Sequence, residues 1–335
     1  RTDREGAARR QVRQNVGETA IEQTEQLFEE SQRYDTLVAT TDETGVDSKR
    51  DMLRIGSDLS GLREGSVTVG EFHEVPHRAF TAGDTVAERT DPPEWAVELF
   101  ESTLAPRTTD GGVELSTAAS ETSLSDVIFK RITTEEVGPA IVEYAAFEDE
   151  SFVVLERNVE ELHELYGEGL NEHVLKNAPC GVLLVEDRGF EDIDEIAVAT
   201  SSGVYDPVKL LVADAIAEET GAELSLLQTL PADASDERRR IVQKYHDDLR
   251  RVLTVPADSR IITNDDRIAG LARFANSADL LVTTTERRGI RGAVFGRPGD
   301  RLVDSVDCTS IMVQPPDQQR AGVIQRVVLD RLFGG

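Results

Sequence analysis

The chain repeats itself. Ser151–Leu155 (SFVVL), a polar loop, Tyr166-Gly167, a segment from Leu170 to Leu175, Cys180 and Val182–Val185 (VLLV) form the first copy. Asp279–Thr283 (DLLVT), a polar loop, Phe295-Gly296, Leu302-Val303, Cys308 and Ile311–Val313 (IMV) form the second, 128 residues on. Each reads as buried strand, glycine loop, short helix and closing strand. Such a period is too long for a solenoid unit and fits a duplicated domain. The 335 residues are enough for two cores of roughly 150 residues each.

The second copy has the plainer pattern. Glu195–Thr200 and Glu223–Thr229 read as strands. Between them, Asp206-Pro207 supplies an N-cap and a first-turn proline for a helix with Val208, Leu211, Val212, Ala215 and Ile216 on one face, stopped at Gly221. A charged helix is expected from an N-cap at Ser235 to Leu253. Arg260–Thr263 is a third strand, followed by a helix capped by Asn264 or Asp265 with Ile268, Leu271 and Ala275 inward. The first copy repeats this plan. Its strands are Thr36–Thr40, Val67–Val75 and Asp126–Phe129, and its helices lie around Met52–Leu62, Trp95–Thr103 and Glu135–Phe147. Thr108–Thr122 is an inserted loop or hairpin. Strands alternating with helices at this spacing imply an α/β protein with parallel sheets covered on both faces.

Acidic residues number 64 against 36 basic ones, for a net charge of −28, and only five of the basic residues are lysine. Such a surface stays hydrated in concentrated salt, where the Debye length is short, so a salt-rich cytoplasm is the expected setting. No basic face remains to neutralise phosphates along a strand, which argues against a nucleic-acid partner. Cys180 and Cys308 occupy matched positions and read as matched buried thiols rather than a disulfide. His73, His77, His163, His173 and His246 are scattered without metal-ligand spacing. No Walker loop, nucleophile elbow or metal cluster appears, and acidic pairs such as Glu186-Asp187 arise by chance in so acidic a chain. The chain is therefore expected not to be an enzyme, and no metal is expected.

The pattern TTTERRGIRGAVFGRPGDRLVDSVDC (Thr283–Cys308) resembles the universal stress protein family. So do YGEGLNEHVLKNAPCGVLLVEDRG (Tyr166–Gly189) and GSVTVGEFHEVP (Gly65–Pro76) in the first copy. The resemblance spans about 33–315. It implies two Rossmann-like, five-stranded parallel-sheet domains in tandem, paired as a pseudo-dimer or homodimer through their last strands. The expected layout is an arginine-rich linker or helix at 1–32, domains at 33–189 and 190–316, and an amphipathic helix at 317–335.

Some members of that family bind ATP or AMP. Their glycine loop lets backbone amides approach phosphate, and a serine or threonine adds a hydroxyl. The registered positions in domain 2 are Thr283, Glu286, Gly296 and Arg297. Two glycines are replaced, Glu286 opposes phosphate, and Arg287, Arg288, Arg291 and Arg297 are candidate phosphate ligands. A solvated arginine loop is the plainer reading. In domain 1 the matches are Leu155, Asn158 and Gly167, in a loop made acidic by Glu160, Glu161 and Glu164. After strand one, where an aspartate often faces adenine, domain 1 has Asp42 and domain 2 has Ser201-Ser202. Asp42 is read first as a turn or cap residue and second as a base ligand, and His73, near the end of strand two, as able to approach the adenine pocket.

Tandem domains preceded by a stretch with Arg1, Arg4, Arg9, Arg10 and Arg13 resemble the C-terminal cytoplasmic region of halophilic archaeal amino-acid permeases of the amino acid–polyamine–organocation type. The arginines would be the positive-inside flank of a transmembrane permease domain in cis. A start at Arg1, without methionine, suits a piece of a longer protein. The expected role is a regulatory or assembly module on the cytoplasmic side of the membrane, sensing adenine nucleotide. The alternatives are a free-standing tandem protein binding ATP or AMP, and a nucleotide-free dimerisation scaffold.

Overall fold

The computed structural model describes residues 16–29, 33–61, 64–76, 86–104, 108–109, 112–113, 124–157, 169–189, 192–203, 205–285 and 298–316. Arg1–Arg13, the loops at 158–168 and 286–297, and the expected helix at 317–335 lie outside them. The chain divides into two compact units. One comprises Gln32–Gly189 and Glu218–Gly221, and the other Arg1–Ser31, Phe190–Ala217 and Ala222–Gly335. Helix α1 (residues 16–29) comes first in the sequence, yet it groups with the second α/β unit.

In the first unit, β1 (Thr36–Thr41), α2 (Val46–Gly61), β2 (Val67–Glu74), β3 (Val86–Arg89) and α3 (Glu94–Leu104) come in turn. Next are the short hairpin β4 (Thr108–Thr109) and β5 (Gly112–Val113), then β6 (Val127–Thr134), α4 (Val137–Phe147), β7 (Phe152–Glu156), α5 (Leu170–Asn177) and β8 (Gly181–Glu186). The sheet order is β8-β7-β1-β2-β6-β3, parallel except for β3, which runs antiparallel along β6. Strand β3 was not expected from the sequence. Its four residues are all exposed, so it carries no apolar alternation to read. Strand β6 also runs on to Thr134, beyond the expected Phe129, with Ile132 and Thr134 buried. Asp126 falls in the short turn before it.

The second unit holds β9 (Glu195–Ala199), α6 (Asp206–Thr220), β10 (Glu223–Leu230), α7 (Asp236–Val252) and β11 (Ala257–Thr263). It continues through α8 (Arg267–Ala275), β12 (Leu280–Thr284), α9 (Pro298–Val303) and β13 (Thr309–Gln314). All five strands are parallel in the order β11-β10-β9-β12-β13. Leu281, Ala275, Leu302 and Val306 belong to its core, with Ile268 and Leu271 packed against them. Removing a leucine-sized side chain of this kind from water contributes about 2 kcal/mol.

The duplication holds in register. Val38 pairs with Val154 and Val198 with Val282, while Ala39 pairs with Gly70 and Ala199 with Leu227. Phe152 pairs with Gly181 and Leu280 with Thr309, each member 128 residues from its counterpart.

Local signals decide most helix ends. Ser235 accepts a hydrogen bond from the Arg238 amide at 3.3 Å and Leu253 closes α7, as expected. Gly221, at φ +77, ends α6 in a conformation that favours glycine. Two expectations need correction. Helix α8 is capped by Asp266, whose carboxylate accepts from the Ile268 and Ala269 amides. The neighbours Asn264 and Asp265 are committed elsewhere, accepting from the Asp266 and Ala232 amides. Asp206 is the first residue of α6 rather than its N-cap, and its carboxylate turns back toward the preceding loop.

Candidate functional site

In an open parallel sheet, ligands bind outside the carboxyl ends of the strands where strand order reverses. That point lies between β9 and β12 in the second unit and between β1 and β7 in the first.

In the second unit the loop after β9 is held from beneath by Asp206. Its carboxylate accepts from the Ser201 amide at 3.0 Å, the Gly203 amide at 3.3 Å and the Ser201 hydroxyl at 3.2 Å. Tyr245 on α7 donates its phenol to the same carboxylate at 2.9 Å, and Lys209 Nζ lies 2.9 Å from Oδ1. Lys209 also donates to the Ala199 carbonyl. Neither Asp206 nor Lys209 reaches solvent. Burial alone would raise the Asp206 carboxyl. The Lys209 charge, with hydrogen bonds from Lys209, Ser201 and Tyr245, holds it below the ordinary value instead. Burial and the neighbouring Asp206 charge push the Tyr245 phenol well up, so it stays a donor. Ser202 sits at φ +55, a strained value for a side-chain-bearing residue, and donates to Gln228 Oε1 at 3.1 Å.

Beneath this loop, Thr200 Oγ1 donates to the Leu227 carbonyl at 3.1 Å and lies 2.8 Å from His246 Nε2. With the threonine hydrogen committed, Nε2 donates to Thr200, and Nδ1 accepts from the Ser259 hydroxyl at 2.7 Å. His246 is fully buried, and burial lowers its pKa to about 4, so the ring is neutral. On the facing strand Thr283 is buried, Thr284 donates to the Val313 carbonyl at 3.1 Å, and Thr285 donates to Gln314 at 3.1 Å.

The first unit builds the same place with different groups. The Glu43 amide donates to the Thr41 hydroxyl and the Thr41 amide to the Thr44 hydroxyl, so threonines make the turn. Asp42 sits in that turn. Its carboxylate lies 2.7 Å from His73 Nδ1, and the other ring nitrogen of His73 is buried with no hydrogen-bond partner among the described residues. Lys49 stands where Lys209 stands in the second unit and reaches Glu71 at 3.4 Å. Arg157, buried at the end of β7, donates to Glu186 at 2.9 Å. The equivalent pair in the second unit is Thr285 and Gln314. A charged bridge in one copy is thus a neutral hydrogen bond in the other.

The structure sets Ser201, Ser202 and Thr283 at the carboxyl ends of the neighbouring strands β9 and β12 and brings Asp42 to His73. Arg287, Arg288, Arg291, Gly296 and Arg297, and Gly167 in the first copy, lie outside the described residues, as does Glu286. The cluster of Asp206, Lys209 and Tyr245 was not legible in the sequence as read above. A lysine within an apolar helical run, in a chain with five lysines, was the available signal.

No protein-family model matches the sequence, and no curated protein matches it. Solved structures do. A Pseudomonas aeruginosa protein assigned to the universal stress proteins is 14% identical and aligns over 88% of this chain and 98% of its own, with a TM-score of 0.51. A universal stress protein from Archaeoglobus fulgidus is 12% identical over 86% of this chain and 98% of its own, at 0.50. The cytoplasmic domain of a prokaryotic cation chloride cotransporter is 13% identical over 84% and 96%, at 0.51. The chain has the tandem universal stress protein fold. Within that fold the strand ends at the two switch points are the candidate sites, and their polar side chains differ between the two copies. No helix among the described residues is long and apolar enough to cross a membrane.

Proposed function

We propose that this tandem universal stress protein fold is the cytoplasmic regulatory or assembly module of a membrane amino-acid transporter and acts by binding, without catalysis. The observation that carries this reading is the likeness, over 84% of the chain, to the cytoplasmic domain of a cation chloride cotransporter. The arginines at 1, 4, 9, 10 and 13 add a positive-inside flank for a permease domain in cis. Homodimer or pseudo-dimer pairing belongs to the same proposal, as does a salt-rich cytoplasm. The reading is tested in the open reading frame upstream of Arg1. A run of hydrophobic helices there supports it, and a start codon at that point abolishes it in favour of a free-standing protein.

Adenine nucleotide, ATP or AMP, is the proposed ligand class. Asp42 and the buried nitrogen of His73, without a partner among the described residues, favour the first unit for the base. A nucleotide-free scaffold is the second reading, favoured by the loop after β9. There the Ser201 and Ser202 hydroxyls are already committed to Asp206 and Gln228, so a ligand would have to displace internal hydrogen bonds. Calorimetry with ATP and AMP in concentrated potassium chloride separates the two. Heat and thermal stabilisation at millimolar ligand, both lost in Asp42→Asn, support the sensor, and their absence leaves the scaffold.

A further inference from the structure

Helix α1 lies outside both sheets, yet its start is a built contact. Gly17, Thr19 and Ala20 are buried, and a Cβ added at Gly17 would lie 3.6 Å from Tyr245 Cδ2, in ordinary van der Waals contact. Glu18 contributes an attractive charge to Lys244, the neighbour of Tyr245. The Tyr245 ring therefore lies beside Gly17, with room for little more than a methyl group between them, while its hydroxyl bonds Asp206 at 2.9 Å. Asp206 in turn holds the Ser201 and Gly203 amides, with Ser202 between them at positive φ. A strained backbone persists only where its surroundings over-determine it, and here Asp206 and Gln228 supply that determination.

We propose that α1 and the 201–203 loop are the two ends of one coupled element, with Tyr245 and Asp206 between them. Displacing the helix moves the Tyr245 ring, loosens its hydroxyl from Asp206 and frees the loop to leave its strained form. A ligand or partner that opens the loop loosens the helix by the same coupling, because linkage is reciprocal. This deepens the proposed regulatory role, and for its purpose rests on it, by naming the route through which the chain N-terminal to the sheets reads or sets the strand-end crevice. The geometry itself needs neither a transporter nor a nucleotide.

Hydrogen exchange on the whole chain, in concentrated potassium chloride, tests the coupling without either. Tyr245→Phe keeps the ring and removes only the hydroxyl. It is expected to speed exchange of the Ser201 and Gly203 amides about tenfold, as one lost hydrogen bond to a charged group implies. It should also speed the amides of α1 at least about fivefold. Gly17→Leu, acting from the other end, should produce the same two changes while leaving β10 and β12 protected. The proposal is overturned if either variant alters only its own end. It is equally overturned if β10 and β12 lose protection to the same extent, because the coupling would then be global unfolding. A start codon directly before Arg1, with no hydrophobic helices ahead of it, would remove the transporter reading and leave this result untouched.

Discussion

Lys209 Nζ and Asp206 Oδ1 face each other at 2.9 Å, one helical turn apart on α6, with neither side chain exposed at all. A buried pair of this kind contributes little over an apolar pair of the same shape, but losing one partner is costly. Asp206→Asn leaves a buried ammonium without its counter-charge and is expected to destabilise the second unit by about 3–5 kcal/mol. The double variant Asp206→Asn/Lys209→Met should lose less than the sum of the single changes. Chemical denaturation in concentrated potassium chloride measures both, and additive losses would contradict the pairing.

The two units should answer pH with opposite signs. In the second, His246 titrates at about 4 when folded, because burial disfavours its charge, and near 6.5 when unfolded. The unfolded state binds more protons across that window, so stability is lost as pH falls from about 6.5 toward 4, by about 3 kcal/mol at most. In the first unit, Glu150, Asp58 and Asp51 are each pushed up to about 7. Burial is the main cause in all three. Asp35 and Glu148 add to it at Glu150, and Asp187 at Asp51. There the folded state binds more protons, and stability is lost as pH rises from about 4 to 7. The single tryptophan, Trp95 on α3, reports the first unit. Its unfolding midpoint should rise as the buffer is taken from pH 6.5 to 5. Protection of β10 and β12 against hydrogen exchange should fall over the same interval.

Helix α9 approaches β12 so closely that a Cβ at Gly299 would collide with the Thr284 carbonyl. The first unit places Asn171 there, whose side-chain amide donates to the Glu156 carbonyl at 3.0 Å. Gly299→Ala is expected to cost about 1–3 kcal/mol, as overpacking does. Asn171→Ala should cost about 1 kcal/mol, the worth of one hydrogen bond. Thermal denaturation of each variant compares them, and a neutral Gly299→Ala would show that α9 is free to move away.

The two thiols should react at different rates. Burial pushes the Cys180 thiol up to about 12, with Glu150 adding to the effect, whereas Cys308, expected to be buried like its counterpart, is partly exposed and lies 3.5 Å from the Ala275 carbonyl. Brief treatment of the folded protein with a thiol alkylator, read by peptide mass, should label Cys308 first. Equal labelling would contradict the burial of Cys180.

Amino-acid order alone determined the duplication, the alternation of strands and helices, and ends such as the Ser235 cap and the Gly221 stop. These are local effects of periodicity, side-chain hydrogen bonding and backbone sterics, and they survive without knowledge of neighbours. Strand β3 was invisible because exposed residues bear no apolar pattern. Asp266 could not be told from Asn264 and Asp265, because all three can cap and only the fold shows which are committed elsewhere. The pairing of Asp42 with His73, and of Asp206 with Lys209 and Tyr245, was decided by tertiary structure. Their chemistry depends on distance and exclusion of water, and those follow from how strands and helices distant in sequence pack together.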